Sequence, residues 1–309
     1  MTGPFTEEIS MFLNEEAVGE LLRMKDLIPA MGGALADLSS GKAEQPVRTV
    51  LSVAEHKGFF AVMPAYNGAL GAKLVTFYPH NQGVHTHHGM IVLFRPETGE
   101  PIAVMDGRLI TEMRTAAVSA AATKLLARTD ASVLCILGSG VQARSHLEAL
   151  RLVRDFREVR IWSPRNARAF AERFGILAAR SAEEAVRGAD IVVVATSATT
   201  PVLLGKWLMP GMHVNAVGAN RPTWRELDDE TLRLAKIFVE STDSARVESG
   251  DVIAAGHLFA EIGEVVLGTR PGRESADEIT LFKSLGCAVE DIAAADLVYQ
   301  QALEGKAVD

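Results

Sequence analysis

A glycine-rich run at residues 138–143 carries the clearest chemical signal in the sequence. Gly138, Gly140 and Ala143 follow an apolar segment and fit the G-x-G-x-x-A form of the dinucleotide-binding fingerprint. In that fingerprint the first glycine permits a tight turn, the second lets the backbone approach a pyrophosphate, and the alanine lets the next helix pack closely. The N-terminus of that helix offers free N–H groups to the phosphates. The run therefore predicts a dinucleotide site; a glycine turn that binds nothing is the alternative.

The segment after the next predicted strand indicates which dinucleotide is bound. NAD-binding proteins usually place Asp or Glu there, because a carboxylate hydrogen-bonds the ribose hydroxyls. This chain has Ser163, Pro164 and Arg165 instead, with Arg168 close behind. Serine and arginine suit a 2′-phosphate, which arginine binds through paired, charge-assisted hydrogen bonds. We therefore predict that NADP(H) is favoured over NAD(H), and we interpret Arg168 as a surface residue of the following helix.

Three cations in the first 115 residues could hold an anionic substrate. Lys73 lies inside an apolar, strand-like run, Arg48 precedes another such run, and Arg114 follows the start of a helix. A buried lysine is costly unless it has a partner or a chemical role. A lysine and two arginines that converge would form a carboxylate-binding pocket. The alternatives are a lysine on an edge strand and two surface arginines.

A histidine cluster, His85, His87 and His88, allows three interpretations. Three histidines can bind zinc, and His85 and His87 would share one face of a strand. No Asp, Glu or Cys stands nearby in the sequence to complete such a site. We therefore predict no bound metal, and we favour hydrogen bonding near a cofactor or substrate over a simple surface loop.

Short apolar runs in the first third must form the elements that position these side chains. Helix-like spacing covers residues 6–41, with a break expected at Pro29 and an end near Gly41. Five runs rich in Val, Ile and Phe follow, separated by Gly, Pro and Asn, and they begin near residues 47, 58, 71, 89 and 101. Such runs predict an antiparallel or mixed sheet.

Strands and helices alternate from about residue 112 onwards. An Ala-rich helix precedes a buried strand that runs into Gly138, and further strands are expected near residues 158, 190, 212 and 235. Apolar strands that alternate with helices predict a parallel, doubly wound sheet. From about Thr280 a long helical pattern runs towards the end of the chain. The predicted fold class is therefore α/β, with a Rossmann dinucleotide-binding domain.

Composition places the chain among ordinary globular proteins and narrows its partners. Hydrophobic residues make up 48% and charged residues 23% of the 309 residues, and the net charge is -8. Nucleic acid is excluded as the main partner, because a phosphate backbone requires concentrated Lys and Arg. Cys135 and Cys287 lie in apolar segments and are predicted to be buried free thiols. Without a signal-peptide pattern or an apolar run of about 20 residues, we expect no membrane association and a cytoplasmic location.

Longer motifs connect these features to a known family. They include QPVRTV, VMPAY, KLVTFY, RTAAVSA, VLCILGSGVQARSH, NAVGANRPTWRELDDE and FAEIGEV. With these motifs in this order, the chain resembles the ornithine cyclodeaminase/mu-crystallin family from about residue 45 to about residue 291, and most of all its ketimine reductases. The resemblance implies a homodimer in which a smaller α+β domain, residues 1–115 with 280–309, binds the substrate and dimerises. Residues 116–279 would form the Rossmann NAD(P)-binding domain.

The resemblance also implies roles for individual residues. Lys73, Arg48 and Arg114 would hold the substrate carboxylate and the reacting group. In addition to Gly138 of the fingerprint, the positions that match cofactor contacts are Thr86, His87, Arg114, Gly140, Val141, Gln142, Ser163, Arg165, Thr196, Ala198 and Val217. Asn220, on the far wall of the expected site, stands where cyclodeaminases have an aspartate. Because an asparagine cannot act as a general base, Asn220 favours imine reduction.

The activity that the resemblance implies is NADPH-dependent reduction of a small cyclic ketimine carboxylate to a cyclic amino acid. Pyrroline-2-carboxylate and piperideine-2-carboxylate are the expected substrates. Their carboxylate would bind Arg48 and Arg114, and Lys73 would hydrogen-bond the carboxylate or the imine. An ornithine cyclodeaminase and an alanine or N-alkyl-amino-acid dehydrogenase are the enzymatic alternatives. A protein that binds NADPH or another small ligand without turnover is the alternative of a different class.

Overall fold

A mixed six-stranded sheet is built from the first third of the protein, as seen in a computed structural model that describes residues 11–306. Its strands are β1 (Met11–Leu13), β2 (Thr49–Val53), β3 (Gly58–Tyr66), β4 (Leu70–Phe77), β5 (His87–Phe94) and β6 (Pro101–Asp106). Their order is β1-β6-β5-β4-β3-β2, and every pair is antiparallel except β1 with β6. The five strands predicted for this region, β2 to β6, are all present.

The second sheet has eight strands, and all of them are parallel. They are β7 (Val133–Leu137), β8 (Glu158–Trp162), β9 (Leu177–Ala178), β10 (Ile191–Val194), β11 (His213–Ala216), β12 (Ala235–Val239), β13 (Ala260–Glu261) and β14 (Ile279–Lys283). The order is β13-β12-β14-β11-β10-β7-β8-β9. The central strands β7, β10 and β11 are fully buried, as expected for a parallel sheet covered on both faces. The Rossmann-type α/β fold is confirmed.

Eleven α-helices among the described residues connect and cover the two sheets. They are α1 (Glu15–Leu21), α2 (Met24–Ser39), α3 (Arg108–Leu126), α4 (Val141–Leu150), α5 (Ala167–Phe174), α6 (Ala182–Val186), α7 (Asp229–Leu234), α8 (Thr242–Glu248), α9 (Gly250–Ala255), α10 (Ile262–Val266) and α11 (Ala288–Lys306). The helix α11 packs across β3, β4 and β5, whereas α3 contacts elements of both sheets. The helix α3 therefore joins the two sheets, and α11 covers one face of the first sheet.

The structure corrects the sequence interpretation at both ends of the chain. Met11–Leu13 is a strand and not helix, because β6 supplies the backbone partners for this short apolar run. Pro29 lies inside α2 without breaking it, since buried side chains such as Leu27 and Met31 hold the helix in place. Residues 6–10 of the predicted helix lie outside the described residues.

The long helix predicted from Thr280 is wrong in its first part. Ile279–Lys283 forms β14, which is inserted between β11 and β12, and the helix α11 starts only at Ala288. A short apolar run fits a buried strand and a buried helix equally well, and only the sheet decides between them. The predicted domain division stays a prediction; its boundaries at residues 115 and 280 fall inside α3 and β14.

Two further features bear on the predictions from composition. Cys135 and Cys287 are both buried and free, as predicted. Within residues 11–306, no helix combines the length and the apolar character that a membrane crossing requires.

Candidate active site

A cavity of about 350 Å³ lies between the first sheet and the carboxyl ends of the parallel strands. Strand side chains alternate between the two faces of a sheet, so every second residue of β2, β3 and β4 faces this space. These side chains are Val50, Phe59, Ala61, Met63, Lys73, Val75 and Phe77. The opposite wall comes from the loops after β7, β10, β11 and β14. The volume fits a small ligand, and the carboxyl ends of parallel strands are where ligands bind in open α/β sheets.

Lys73, Arg114 and Asp291 form a buried charged cluster beside the cavity. Asp291 of α11 lies 2.6 Å from Lys73 Nζ through Oδ2, and its Oδ1 accepts a hydrogen bond of 2.9 Å from Arg114 Nε. All three side chains are at most 5% exposed. Burial lowers the pKa of Lys73 to about 8, although Asp291 opposes that shift. Burial alone would raise the pKa of Asp291, but the charges of Arg114 and Lys73 outweigh it and the pKa is lowered.

Two further carboxylates, Glu240 and Glu290, lie next to this cluster. Arg114 donates to Glu290 Oε2 at 2.8 Å, and burial together with the nearby Glu240 raises the pKa of Glu290. Glu240 in turn accepts hydrogen bonds from Ser284 Oγ and from the backbone N–H groups of residues 285 and 286. Gly286 has φ +78°, and a Cβ there would clash with the Arg114 guanidinium. The tight loop between β14 and α11 therefore sets where Arg114 lies.

Arg48 lines the cavity, but its guanidinium already has partners in the protein. Nε donates to Glu248 at 3.0 Å, and the same arginine donates to the carbonyl groups of Leu285 and Gly286. These contacts connect the start of β2 to α8 and to the loop before α11. The predicted role of Arg48 in holding a substrate carboxylate stays a prediction.

The glycine turn after β7 has the shape that a dinucleotide requires. Gly138 has φ +113°, and a Cβ there would collide with the carbonyl oxygen of Ala195. Gly140 faces open space and precedes α4, whose first turn is not capped by a side chain from residues 11–306. Val141 and Gln142 line the cavity, and the buried side-chain oxygen of Gln142 has no hydrogen-bond partner among the same residues. Free backbone donors at a helix N-terminus, beside a glycine with room around it, fit a pyrophosphate.

Two residues predicted to select NADP(H), Ser163 and Arg165, lie in the loop after β8, the strand that pairs with β7. Ser163 follows β8, and its Oγ accepts a hydrogen bond of 3.2 Å from the Asn166 backbone. Arg165 is exposed, and Arg168 forms an exposed ion pair with Glu172. None of the three lines the substrate cavity. This position suits the adenosine end of a cofactor, which would extend along the strand ends from the glycine turn.

The strand ends β10 and β11 are joined by Glu226, a residue that sequence reasoning missed. Its carboxylate accepts hydrogen bonds from the backbone and hydroxyl of Thr196 and from the N–H groups of Gly218 and Ala219. Thr196 and Val217, two positions predicted to contact the cofactor, line the cavity, and Glu226 holds Thr196 and the two residues that follow Val217. Ala198 does not line the cavity, and its N–H donates to Thr196 Oγ1 at 3.0 Å.

The histidines and Thr86 form the rim of the cavity around β5. His87 stacks on Phe77 at 4.3 Å between ring centroids, and Thr86 lies beside it. Partial desolvation, followed by the positive charges of Lys73 and Arg221, lowers the pKa of His87, so its ring is neutral at neutral pH. Within residues 11–306, the side chains whose ligand atoms lie close enough together to hold a metal ion are not these histidines but Glu240, Cys287 and Glu290.

Asn220 and Arg221 form the wall after β11. Asn220 lines the cavity and is exposed, and its predicted role stays a prediction. Arg221, which sequence reasoning missed, lies with its guanidinium carbon 3.6 Å from the centroid of the Phe59 ring. The only signal for it in the sequence is its place directly after Asn220 at a strand end.

Comparison with known proteins assigns a family to this arrangement. A profile of the ornithine cyclodeaminase/mu-crystallin family matches residues 8–306. The chain belongs to this family. The family member ketimine reductase mu-crystallin of Mus musculus is 49% identical over 311 residues, which cover 96% of this chain and 98% of the mouse protein.

Two solved structures have the same fold as this chain. Delta(1)-pyrroline-2-carboxylate reductase of Thermococcus litoralis, in complex with NADH and L-proline, has a TM-score of 0.91 and 41% identity, over 96% of this chain and 98% of that chain. An archaeal alanine dehydrogenase dimer with bound NAD also has a TM-score of 0.91, with 38% identity over 96% of this chain and 97% of that chain. These relatives support the prediction of an NAD(P)-dependent imine reductase of this family.

Proposed function

We propose that this chain reduces small cyclic ketimine carboxylates, such as pyrroline-2-carboxylate and piperideine-2-carboxylate, to cyclic amino acids with NADPH. The observation that carries the proposal is a buried lysine on a cavity whose opposite wall is a dinucleotide turn. Lys73 Nζ lies 2.6 Å from Asp291, and Val141 and Gln142 of the turn face the same space. Relatives named as ketimine reductase and pyrroline-2-carboxylate reductase support it.

The residues of the cavity would bind the substrate and handle one proton. Arg48, Lys73 and Arg114, which line the cavity, would bind the carboxylate, and the apolar side chains of β3 and β4 would exclude water from the ring. Because the pKa of Lys73 is lowered to about 8, its ammonium group is charged at neutral pH yet gives up a proton readily. We assign to Lys73 Nζ the donation of a proton to the imine nitrogen, which makes the imine carbon electrophilic. Bound NADPH supplies the hydride that this carbon accepts.

A cyclodeaminase fits the cavity less well, because within residues 11–306 the carboxylate that lines the cavity, Glu112, is already paired with Arg108 and Arg144. Asn220 stands where that reaction would need a carboxylate, and an amide cannot accept a proton in its place. Within residues 11–306, the acids closest to the predicted catalytic residues are occupied: Asp291 and Glu290 by Arg114, and Glu248 by Arg48. The reductive reaction requires a proton donor, which Lys73 provides.

Selection of NADPH, a homodimeric assembly and a cytoplasmic location complete the proposal. Arg165 is exposed after β8, where its guanidinium is free to meet a 2′-phosphate. The charge on that phosphate distinguishes NADPH from NADH, so the preference should reside largely in Ser163 and Arg165. The solved archaeal relative is a dimer, which supports the assembly.

Initial rates of NADPH oxidation with pyrroline-2-carboxylate and piperideine-2-carboxylate test this function. We expect turnover of at least one of the two imines, with NADH a poorer donor by about tenfold or more, the typical value of one or two charge-assisted hydrogen bonds. L-Ornithine is the control substrate, and release of ammonia is measured beside it. Ammonia from ornithine without imine reduction would contradict the proposal and favour a cyclodeaminase.

A further inference from the structure

Glu226 is a buried acid behind the part of the cavity wall that the ends of β10 and β11 form. Its Oε1 accepts hydrogen bonds from the backbone N–H and the hydroxyl of Thr196, at 2.8 and 2.6 Å. Its Oε2 accepts from the N–H groups of Gly218 and Ala219, at 2.5 and 3.0 Å. A backbone N–H can only donate, so both carboxyl oxygens are acceptors here. The arrangement therefore suits a charged carboxylate, because a protonated one would turn a donor towards another donor.

The negative charge of Glu226 is only partly matched by the charged side chains next to it. Lys283 Nζ lies 3.4 Å from Asp251 Oδ2, and both side chains are fully buried. Arg225 lies 4.0 Å from Asp251 and pairs with Asp229 at 2.6 Å. Burial raises the pKa of Glu226, and the charge of Lys283 opposes that shift. These five side chains are three acids and two bases, so the group carries one uncompensated negative charge.

The order of the parallel strands indicates which end of a dinucleotide lies over this acid. The glycine turn that fits the pyrophosphate follows β7, and Ser163 and Arg165, which suit the adenosine end, follow β8 on one side of β7. On the other side of β7 lies β10, and next to it β11. A dinucleotide that crosses from β8 to β7 would continue to β10 and β11 with its nicotinamide end. There Thr196 and Gly218, both held by Glu226, line the cavity.

The charge of a nicotinamide ring depends on its oxidation state. Loss of a hydride turns the neutral reduced ring into a cation. A fixed anion close to the ring therefore stabilises the oxidised form more than the reduced form. The carboxylate of Glu226 is already oriented by its hydrogen bonds, so its charge acts without rearrangement of the protein.

We propose that Glu226 is a positioning residue that fixes the ends of β10 and β11 beside the nicotinamide and supplies the negative charge that favours its oxidised form. The inference rests on the proposed function for the nicotinamide cofactor, and it does not depend on which imine is reduced. A Cβ at Gly218 would clash with the Glu226 carboxylate and with the carbonyl oxygen of Thr196. Glycine at this position therefore lets one carboxylate reach both strand ends.

The dissociation constants of NADPH and NADP⁺ test the charge of Glu226, because the two forms share all contacts of the adenosine and the pyrophosphate. We expect Glu226→Gln to weaken NADP⁺ binding relative to NADPH binding about threefold to thirtyfold, the effect of one charge at several ångströms in a medium of intermediate polarity. Glu226→Asp keeps the charge and should keep the ratio closer to that of the wild type. Asp190→Asn is the matched control, since Asp190 accepts hydrogen bonds from the N–H groups of Ser132 and Val133 at the opposite end of β7.

An unchanged ratio in Glu226→Gln would overturn the proposal even if thermal melting shows a loss of stability, because an acid with a purely structural role affects both cofactor forms alike. If Glu226→Gln does not fold, Lys283→Met decides instead. It removes a positive charge beside Glu226, so the ratio should shift towards NADP⁺, and no shift or a shift towards NADPH refutes the proposal. If the wild type binds NADPH but reduces neither imine, the proposed function is wrong, and the same ratio still decides the role of Glu226.

Discussion

At the scale of single residues, Lys73 is set by two opposing effects on its ammonium group. Burial disfavours the charge, whereas Asp291 at 2.6 Å favours it. The outcome is a lysine that titrates near neutral pH and lies on a cavity with the dinucleotide turn. A lysine in water would hold its proton too tightly to be an effective acid at that pH.

Lys73→Ala is expected to lower kcat for imine reduction about a hundredfold or more, the usual contribution of a positioned proton donor. NADPH affinity should be kept, because Lys73 belongs to the opposite wall of the cavity from Val141 and Gln142. Rapid-mixing rates and cofactor titration measure the two effects. Near-native turnover by the alanine variant would show that another group supplies the proton.

Some of these site residues can be recognised from the sequence and others cannot, for a physical reason. Lys73 can be recognised because it is a charged residue within an apolar strand. The glycine turn can be recognised because binding a phosphate requires its glycines at fixed spacing. Asp291 and Arg221 give no such signal, because their partners lie far away along the chain: Asp291 is 218 residues from Lys73 (291 minus 73). Only the folded structure brings such pairs together.

At the scale of elements, α11 holds Lys73 and Arg114 through two adjacent acids, Glu290 and Asp291. Asp291 and Glu290 begin the buried side of this helix, and both contact Arg114. The sequence reveals α11 through its long apolar pattern, but it conceals β14, whose five residues pair with β11 and β12. The placement of the cations thus depends on a strand-to-helix transition that local pattern does not fix.

Asp291→Asn is expected to shift the pH dependence of imine reduction. In the wild type, kcat/KM should fall as pH rises through about 8, where Lys73 loses its proton. Without the negative charge of Asp291, the ammonium form is less favoured, the pKa of Lys73 drops further, and the fall moves to lower pH by about one unit or more.

A matched control for this shift is Asp296→Asn, on the same helix, where the carboxylate accepts a hydrogen bond from Gln300. That variant should keep the wild-type pH profile. The Asp291 variant should also lose about 3–5 kcal/mol of unfolding free energy, because Lys73 and Arg114 stay buried beside a neutral amide. An unchanged pH profile in Asp291→Asn would contradict its effect on Lys73.

At the scale of the whole molecule, the first sheet presents an apolar face on the side opposite to Lys73. Strand register places Leu51, Met90 and Phe12 on that face, and they are 61%, 48% and 72% exposed. Exposed apolar side chains that share one face mark a surface that another protein covers. A second copy of the chain is the partner we propose, consistent with the predicted homodimer.

Leu51→Glu is expected to convert a dimer into a monomer, because two buried carboxylates without partners oppose association. Sedimentation or light scattering would then give half the wild-type mass. Leu177→Glu is the control, since Leu177 is 56% exposed on the edge of the other sheet. A Leu51 variant that keeps the wild-type mass would place the contact elsewhere.

The return of the chain from β14 to α11 has a geometric consequence. The polypeptide crosses between the two sheets twice, once along α3 and once through residues 284–287. Any rotation of one sheet relative to the other must therefore bend both connections, and it must also disturb the packing of α2 against α10. The histidine rim and Asn220 face solvent, so we expect the substrate to enter from that side.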